Sequence, residues 1–377
     1  MNRLTWEVEV LTPLHIGSGS ALTPFDYVYD ERAQLLRVID LDKLLAQPRV
    51  NPDDLARYYE RRGFQVGQYL RDRGIPPESV ERYHLICARD PGNGPVRAFI
   101  KTIWGKPYLP GSSLKGALRT AVLWRIVHED KEAFTQALSY LERAIRRDRS
   151  LPRSAQDRQW IGLHIERLEA VLGPDPNRDL MRAIHIEDSA ELPLEELHAI
   201  EVGSYMPDAQ GRLVRDRRLT SWVEALPAGT RLRISWQWDG FLFSEMARDL
   251  GFQPKQHLVS DDSLLETAHA FTKILLESEI SFYRQHGLRE VADRLEAFQS
   301  DEGILLCLGW GGGWSAKTVT RAFINRIDLM ALRRFYRLGQ SRSRRDYYDR
   351  IFPKSRRLCE GSPKVPLGWI RLREVPA

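Results

Sequence analysis

Three segments carry residue types suited to phosphate or RNA chemistry. In PYLPGSSLKGALRTAVLW (107–124) a Pro-Gly turn delivers Ser112 and Ser113 to the start of a predicted helix. Unpaired backbone N–H groups and the helix dipole favour an anion there. Lys115 and Arg119, four residues apart, share one face of that helix, while Leu114, Leu118 and Val122 form an apolar stripe. Gly116 and Ala117 keep its first turn slim enough for a backbone to approach. In LGWGGGWSAKTVTRAF (308–323), Gly311, Gly312 and Gly313 stand between Trp310 and Trp314. Such a backbone can come close to a ligand while the indoles offer stacking faces. Lys317 and Arg321 are again four apart at a helix start. In TPLHIGSG (12–19), His15 sits between a strand and a Gly-Ser-Gly turn. It could act as general acid or base in RNA cleavage, with Ser18 on a phosphate, or simply hold backbone. With no second histidine or carboxylate at a readable spacing, the backbone role is the better reading, and no catalytic residue is assigned.

Several enzyme signatures approach these segments and fail. Ser112-x-x-Lys115 has the spacing of a β-lactamase nucleophile and base, but no Ser-Asp-Asn triplet or Lys-Thr-Gly strand accompanies it. Gly111 to Lys115 follows the nucleophile-elbow pattern until its last position, which is lysine. Gly311 to Thr318 nears a phosphate-binding loop, with Ala316 where a glycine should precede the lysine. No aspartate-ended strand pairs with it, so nucleotide hydrolysis is a minor alternative. HExxH is absent, and His185 and His198 are too loosely spaced for a metal. No cofactor is implied.

The elements that must position these segments alternate between strand and helix. Leu4, Trp6, Val8 and Val10 alternate with Thr5, Glu7 and Glu9, which predicts a half-buried strand at the start. FDYVYD (25–30), LLRVID (35–40), RYHLICA (82–88) and VRAFIKT (ending at 102) read as further strands. Asp40 can cap a short helix, and Asn51 or Asp53 a longer one through about Asp72. A charged helical pattern covers about 129–172, and strands resume at 183–188 and 198–205. LTSWVEAL (219–226), a turn at Pro227-Ala228-Gly229, and Arg231–Trp238 look like a hairpin. A helical stretch fills about 263–299, and GILLCL (303–308) is a buried strand. The reading is α+β in two units, with a boundary near 205–218.

The chain of 377 residues is 42% hydrophobic and 28% charged, enough apolar content for a sizeable core. Net charge is +5, but unevenly spread. Residues 316–377 hold sixteen Lys/Arg against five Asp/Glu, and residues 91–125 hold six basic residues and no acidic one. Concentrated basic zones on a more acidic body suit a polyanion. Tyr336, Tyr347 and Tyr348 alternate with arginines in the tail, the mixture that binds single strands. Cys87, Cys307 and Cys359 are far apart and odd in number, which predicts reduced thiols in a cytoplasm. No stretch nears the roughly 18 apolar residues of a membrane span.

TPLHIGSG, then YLPGSSLKGALRTAV about a hundred residues in, then LGWGGGW with its following Lys-Thr, resemble in order and spacing the RAMP-superfamily CRISPR proteins. RAIHIEDSA (182–190), PKSRRL (353–358) and PLGWIRL (366–372) are similar to the fifth-subunit family of the type III-A (Csm) interference complex. Together the blocks span residues 12 to 372. The resemblance implies two tandem ferredoxin-like, RRM-related domains: 1–210 with a helical insertion at about 126–180, and a degenerate 211–377 carrying the glycine-rich loop and basic tail. It implies a non-catalytic subunit that caps a filament of repeated backbone subunits at the crRNA 3′ end. Such a subunit assists crRNA maturation beside a separate nuclease. RNA-binding residues are then expected at His15, Ser18, Ser112, Ser113, Lys115, Arg119, Trp310, Gly311, Gly312, Gly313, Trp314, Lys317 and Arg321. The backbone subunits of that complex cut target RNA with a loop aspartate. The nearest residue here, Asp26, stands in a different context. A crRNA-cutting role for His15 is the alternative.

Overall fold

A computed structural model describes residues 3–61, 63–132, 134–135, 138–139, 172–173, 175–319, 322, 329–336, 338–339, 351–361 and 363–375. Most of the predicted insertion, Arg321, and the Tyr347–Tyr348 part of the tail lie outside the described residues. Strands β1 (Arg3–Val10), β2 (Gly17–Leu22), β3 (Tyr27–Asp30) and β4 (Leu35–Ile39) come first. Helices α1 (Leu41–Leu45), α2 (Pro52–Tyr59) and α3 (Val66–Arg73) then lead to β5 (Glu81–Ile86) and β6 (Val96–Phe99). Helix α4 (Gly111–Glu129) precedes β7 (Ile184–Ile186), β8 (His198–Pro207), β9 (Leu213–Ala225) and β10 (Arg231–Trp238). After them come α5 (Asp261–Gln285), α6 (Arg289–Ala297), β11 (Ile304–Cys307) and α7 (Leu329–Tyr336). Strands β12 (Arg356–Cys359), β13 (Val365–Pro366) and β14 (Trp369–Val375) follow.

The strands form two sheets. One is five-stranded and antiparallel throughout, in the order β11-β14-β1-β10-β7. Alternation in β1 puts Trp6, Val8 and Val10 on its inner face, in register with Ile234 and Leu232 of β10 and with Leu372 and Ile370 of β14. Leu114, Leu118 and Val122 of α4 and Leu264, Ala268 and Phe271 of α5 join the same core. The apolar stripe predicted on α4 is therefore the face that covers this sheet. The second sheet runs β2-β6-β9-β8-β5-β4-β3, with β12 and β13 added at the far end of β8. It is mixed, because β5 lies parallel to β8 and β6 parallel to β9.

Two readings change. The segments 219–226 and 231–238 are not a hairpin: the turn after Leu226 throws the chain from one sheet into the other. The hairpin is β8–β9, whose tip folds over Asp208, which accepts N–H bonds from Gln210 and Arg212. A boundary at 210 falls on that tip, and each sheet draws strands from both sides of it. The helix expected from Asn51 to Asp72 breaks into α2 and α3, because Phe64 turns in against Phe25, Tyr58 and Tyr59.

Candidate nucleic-acid interface

Three distant stretches meet behind β11. The Leu308 N–H donates to the Gly368 carbonyl (2.8 Å), the Gly368 N–H to the Pro13 carbonyl (3.0 Å), and the Trp310 N–H to the His15 carbonyl (2.8 Å). Gly309 and Gly368 make this possible. Both have positive φ, and a Cβ would stand 2.3 Å from the His15 oxygen and 2.2 Å from the Leu308 oxygen respectively. The slimness of the glycine loop thus serves the chain's own backbone first. Gly311 and Gly312 likewise face Leu367 and Cys307, whereas Gly313 is exposed and open.

His15 is 1% exposed, and its Nδ1–H donates to the Glu224 carbonyl at 2.6 Å. Burial holds its pKa below the usual value, so the ring is neutral at pH 7. Its ring meets the Trp310 indole edge-on at 6.0 Å. A buried, neutral imidazole with Nδ1 on a carbonyl braces Trp310. Beneath it the fully buried Glu224 carboxylate accepts from the Tyr83 hydroxyl (2.7 Å) and the Phe99 N–H (2.7 Å), and pairs with Lys101.

Trp310 gathers cations. The Arg357 guanidinium lies 4.2 Å and that of Arg97 5.2 Å from its ring centroid. Burial, and secondarily the charge of Arg97, lower the Arg357 pKa. Beside the indole a cavity of about 530 Å³ opens between the glycine loop, α5 and the 353–357 stretch, with Trp314, Ser355 and Lys317 on its wall. Ser18 stands on the exposed strand β2, its hydroxyl shared with Ser20 and the Ala98 carbonyl.

The helix-start residues fall elsewhere. Helix α4 begins against β7, one edge of the five-stranded sheet, while the glycine loop follows β11, the opposite edge. The anion at this helix start is the chain's own Asp188, which accepts from the Gly111 N–H at 2.8 Å. Lys115 donates to the Ile184 carbonyl (2.7 Å) and Arg119 pairs with Asp179. Burial lowers the Lys115 pKa. Both cations fasten α4 to the segment around β7. Ser112 is exposed and Ser113 half-buried, without a side-chain cap; Gly116 faces open space rather than an approaching backbone.

Sequence reasoning missed Arg97 and Arg357 as a pair, and Glu224 altogether. Arg97 lay in the basic run before α4 and Arg357 in the PKSRRL block, so the signal existed without its geometry. Among the described residues no group of three His, Cys, Asp or Glu is placed to hold a metal. No described helix is long and apolar enough to cross a membrane.

Known proteins resemble the chain across this whole layout. The sequence model of the RAMP superfamily matches residues 7–315. A relative from Streptococcus thermophilus, "CRISPR system Cms protein Csm5", is 27% identical over 139 residues, which is 32% of this chain and 38% of the relative. Its namesake from Methanocaldococcus jannaschii is 23% identical over 354 residues, 84% of this chain and 73% of the relative. The first two relatives are thus matched over less than half their length, 38% and 41%. A chain in the cryo-EM structure of a Csm-crRNA-target RNA ternary complex superposes with a TM-score of 0.76, at 24% identity, over 99% of this chain and 100% of that one. The T. onnurineus Csm5 crystal structure gives 0.68 at 24% identity, over 97% and 99%. At that identity the likeness establishes the fold. With the family match over most of its length, this chain belongs to the RAMP superfamily, within which it resembles Csm5 of type III-A CRISPR complexes.

Proposed function

We propose that this chain is the crRNA-binding scaffold subunit of a type III-A (Csm) interference complex, capping its backbone filament at the crRNA 3′ end without cutting RNA. The observation that carries the reading is the meeting of the TPLHIGSG, LGWGGGW, PKSRRL and PLGWIRL blocks around Trp310, an indole flanked by Arg97 and Arg357 at the mouth of a cavity. Cations beside an aromatic face suit phosphates and an unpaired base, with no metal needed. The Csm5 relatives and the superposed chain of a Csm-crRNA-target RNA complex support the assignment to that assembly. The buried, carbonyl-bound His15 favours a scaffold over a nuclease. Strand and helix order support a ferredoxin-like, RRM-related reading: β1–α4–β7–β10–α5–β14 places its strands as β14-β1-β10-β7, with β11 outside. The nine-stranded sheet is then the degenerate counterpart. The backbone subunit and a trimming nuclease are the protein partners, in the cytoplasm.

Tagged chain, purified from cells expressing the whole system, should carry backbone subunits and a short crRNA; an RNA-free monomer overturns the reading. For direct binding, Trp310→Ala should cost about 1–3 kcal/mol with little change in salt dependence. The Arg97→Ala/Arg357→Ala pair should flatten the log–log salt slope by about 0.7 per lost contact.

A further inference from the structure

We infer that the hairpin tip at 102–105 is a docking knob for another protein subunit, one that offers an apolar pocket rimmed by carboxylates. The inference rests on the RNA-scaffold reading and adds a protein-facing surface to it.

Between β6 and α4 the chain turns back on itself. The Gly105 N–H donates to the Thr102 carbonyl (2.9 Å), the Thr102 N–H donates to the Lys106 carbonyl (2.8 Å), and Lys101 bridges to Pro107. Gly105 closes the turn at a φ of +77°, a left-handed conformation that glycine adopts freely. The base of the hairpin is fastened on both strands. Lys101 pairs with the buried Glu224, and the Pro107 carbonyl accepts from the Leu192 N–H at 2.8 Å. A tip held this closely presents Ile103 and Trp104 outward. Ile103 is 90% exposed and Trp104 77%, the most exposed large apolar side chain and the most exposed tryptophan among the described residues. Tryptophan is mostly buried in folded chains. A single exposed apolar residue needs no explanation, but a neighbouring Ile and Trp on a closed turn form a ready anchor for a partner's pocket.

The charges around the tip select the partner. The Arg82 guanidinium lies 3.9 Å from where a Gly105 Cβ would stand, and Lys106 follows the turn. Both are exposed, and neither has an ion-pair partner among the described residues. Beside the hairpin base, the segment bonded to Pro107 carries the exposed Glu191, Glu195 and Glu196. An RNA strand favours a surface of one sign, and these carboxylates would repel its phosphates. An apolar centre with both signs around it is the anatomy of a protein interface, in which tryptophan and arginine carry much of the affinity. The unspent cations nearest the tip call for carboxylates on the facing rim.

The test is Ile103→Ser/Trp104→Ser in the full chain, tagged and expressed with the whole system. Because both side chains face solvent, urea unfolding of the free variant should match wild type, and so should its affinity for single-stranded RNA. Recovery of the system's other protein subunits, the backbone subunit above all, should fall by at least about 10-fold. Arg82→Glu/Lys106→Glu should lower recovery too, by like-charge repulsion at the rim. p-Benzoylphenylalanine in place of Ile103 should cross-link to a protein subunit of the purified complex. Should the serine variant unfold more easily, the charge pair and the cross-link carry the test. If both variants recover the subunits at the wild-type level, if RNA affinity falls instead, or if the cross-link joins only RNA or a second copy of this chain, this inference is overturned and the scaffold reading stands. Wild type that recovers no subunit overturns both.

Discussion

Glu224 offers the sharpest test of how the interface is held. Its carboxylate is fully buried and gathers the Phe99 N–H, the Tyr83 hydroxyl and the Lys101 ammonium, while its carbonyl holds His15. Glu224→Leu keeps the volume near-constant and removes every acceptor. It leaves the Phe99 N–H, in a buried residue, without its bond, worth about 1–3 kcal/mol. It also strands Lys101, whose side chain is 15% exposed and can reach water only in part. Breaking such a pair from one side costs about 3–5 kcal/mol, and since the two losses overlap, about 3–5 kcal/mol is expected in all. Glu224→Gln keeps one acceptor oxygen and should lose about 2 kcal/mol. The assay is urea unfolding at pH 7, followed by tryptophan fluorescence. Adding Lys101→Met to Glu224→Leu should restore part of the loss, because an apolar pair leaves no buried charge. If Glu224→Leu loses less than about 1 kcal/mol, or Lys101→Met recovers nothing, the carboxylate is not the clamp described.

Gly309→Ala must place a Cβ 2.3 Å from the His15 oxygen at positive φ, so it should destabilise by at least about 2 kcal/mol. Gly116→Ala, in a helix facing open space, should stabilise by about 0.5–1 kcal/mol in the same unfolding assay. Lys115→Ala and Arg119→Ala should each lower stability by about 1 kcal/mol and leave the salt slope of RNA binding unchanged; a slope flatter by about 0.7 per substitution would return them to the RNA. Below pH 6.5 the unfolded His15 gains a proton that the folded ring resists, so its contribution is present above that pH and lost as pH falls toward the lowered folded pKa. His15→Gln should therefore flatten the fall in unfolding free energy between pH 7 and lower pH; the half-buried His198, shifted the same way, keeps it from vanishing.

Local patterns were legible where one physical rule decides them. The alternation of Trp6, Val8 and Val10 located β1 and its inner face, and Asp40 and Asn51 cap α1 and α2 through backbone N–H bonds. Motif blocks grouped His15 with Trp310, and the fold brings the two rings into contact. What pairs with what was not local. The turn at Pro227–Gly229 reads as a hairpin because nothing nearby in sequence says that its two strands enter different sheets. Lys115 and Arg119 have the spacing of a phosphate site, yet Ile184 and Asp179, 69 and 60 residues on, claim them first. Spacing along a helix tells which cations share a face, not what that face meets.

The position of β1 between β10 and β14 has a consequence for synthesis. The Trp369 N–H donates to the Thr12 hydroxyl across 357 residues of sequence, so the first strand's second neighbour arrives very late. At about 5–20 residues per second, ribosomal elongation leaves that strand without its β14 neighbour for roughly 20–70 s. A bare apolar strand with open edges invites pairing with other nascent chains. Glu7 and Glu9, which later pair with Arg231 and Arg373, meanwhile put negative charge on the face away from Trp6 and Val8. The same two carboxylates thus act twice in the life of the molecule, first as gatekeepers against aggregation and then as ion-pair partners within the closed sheet.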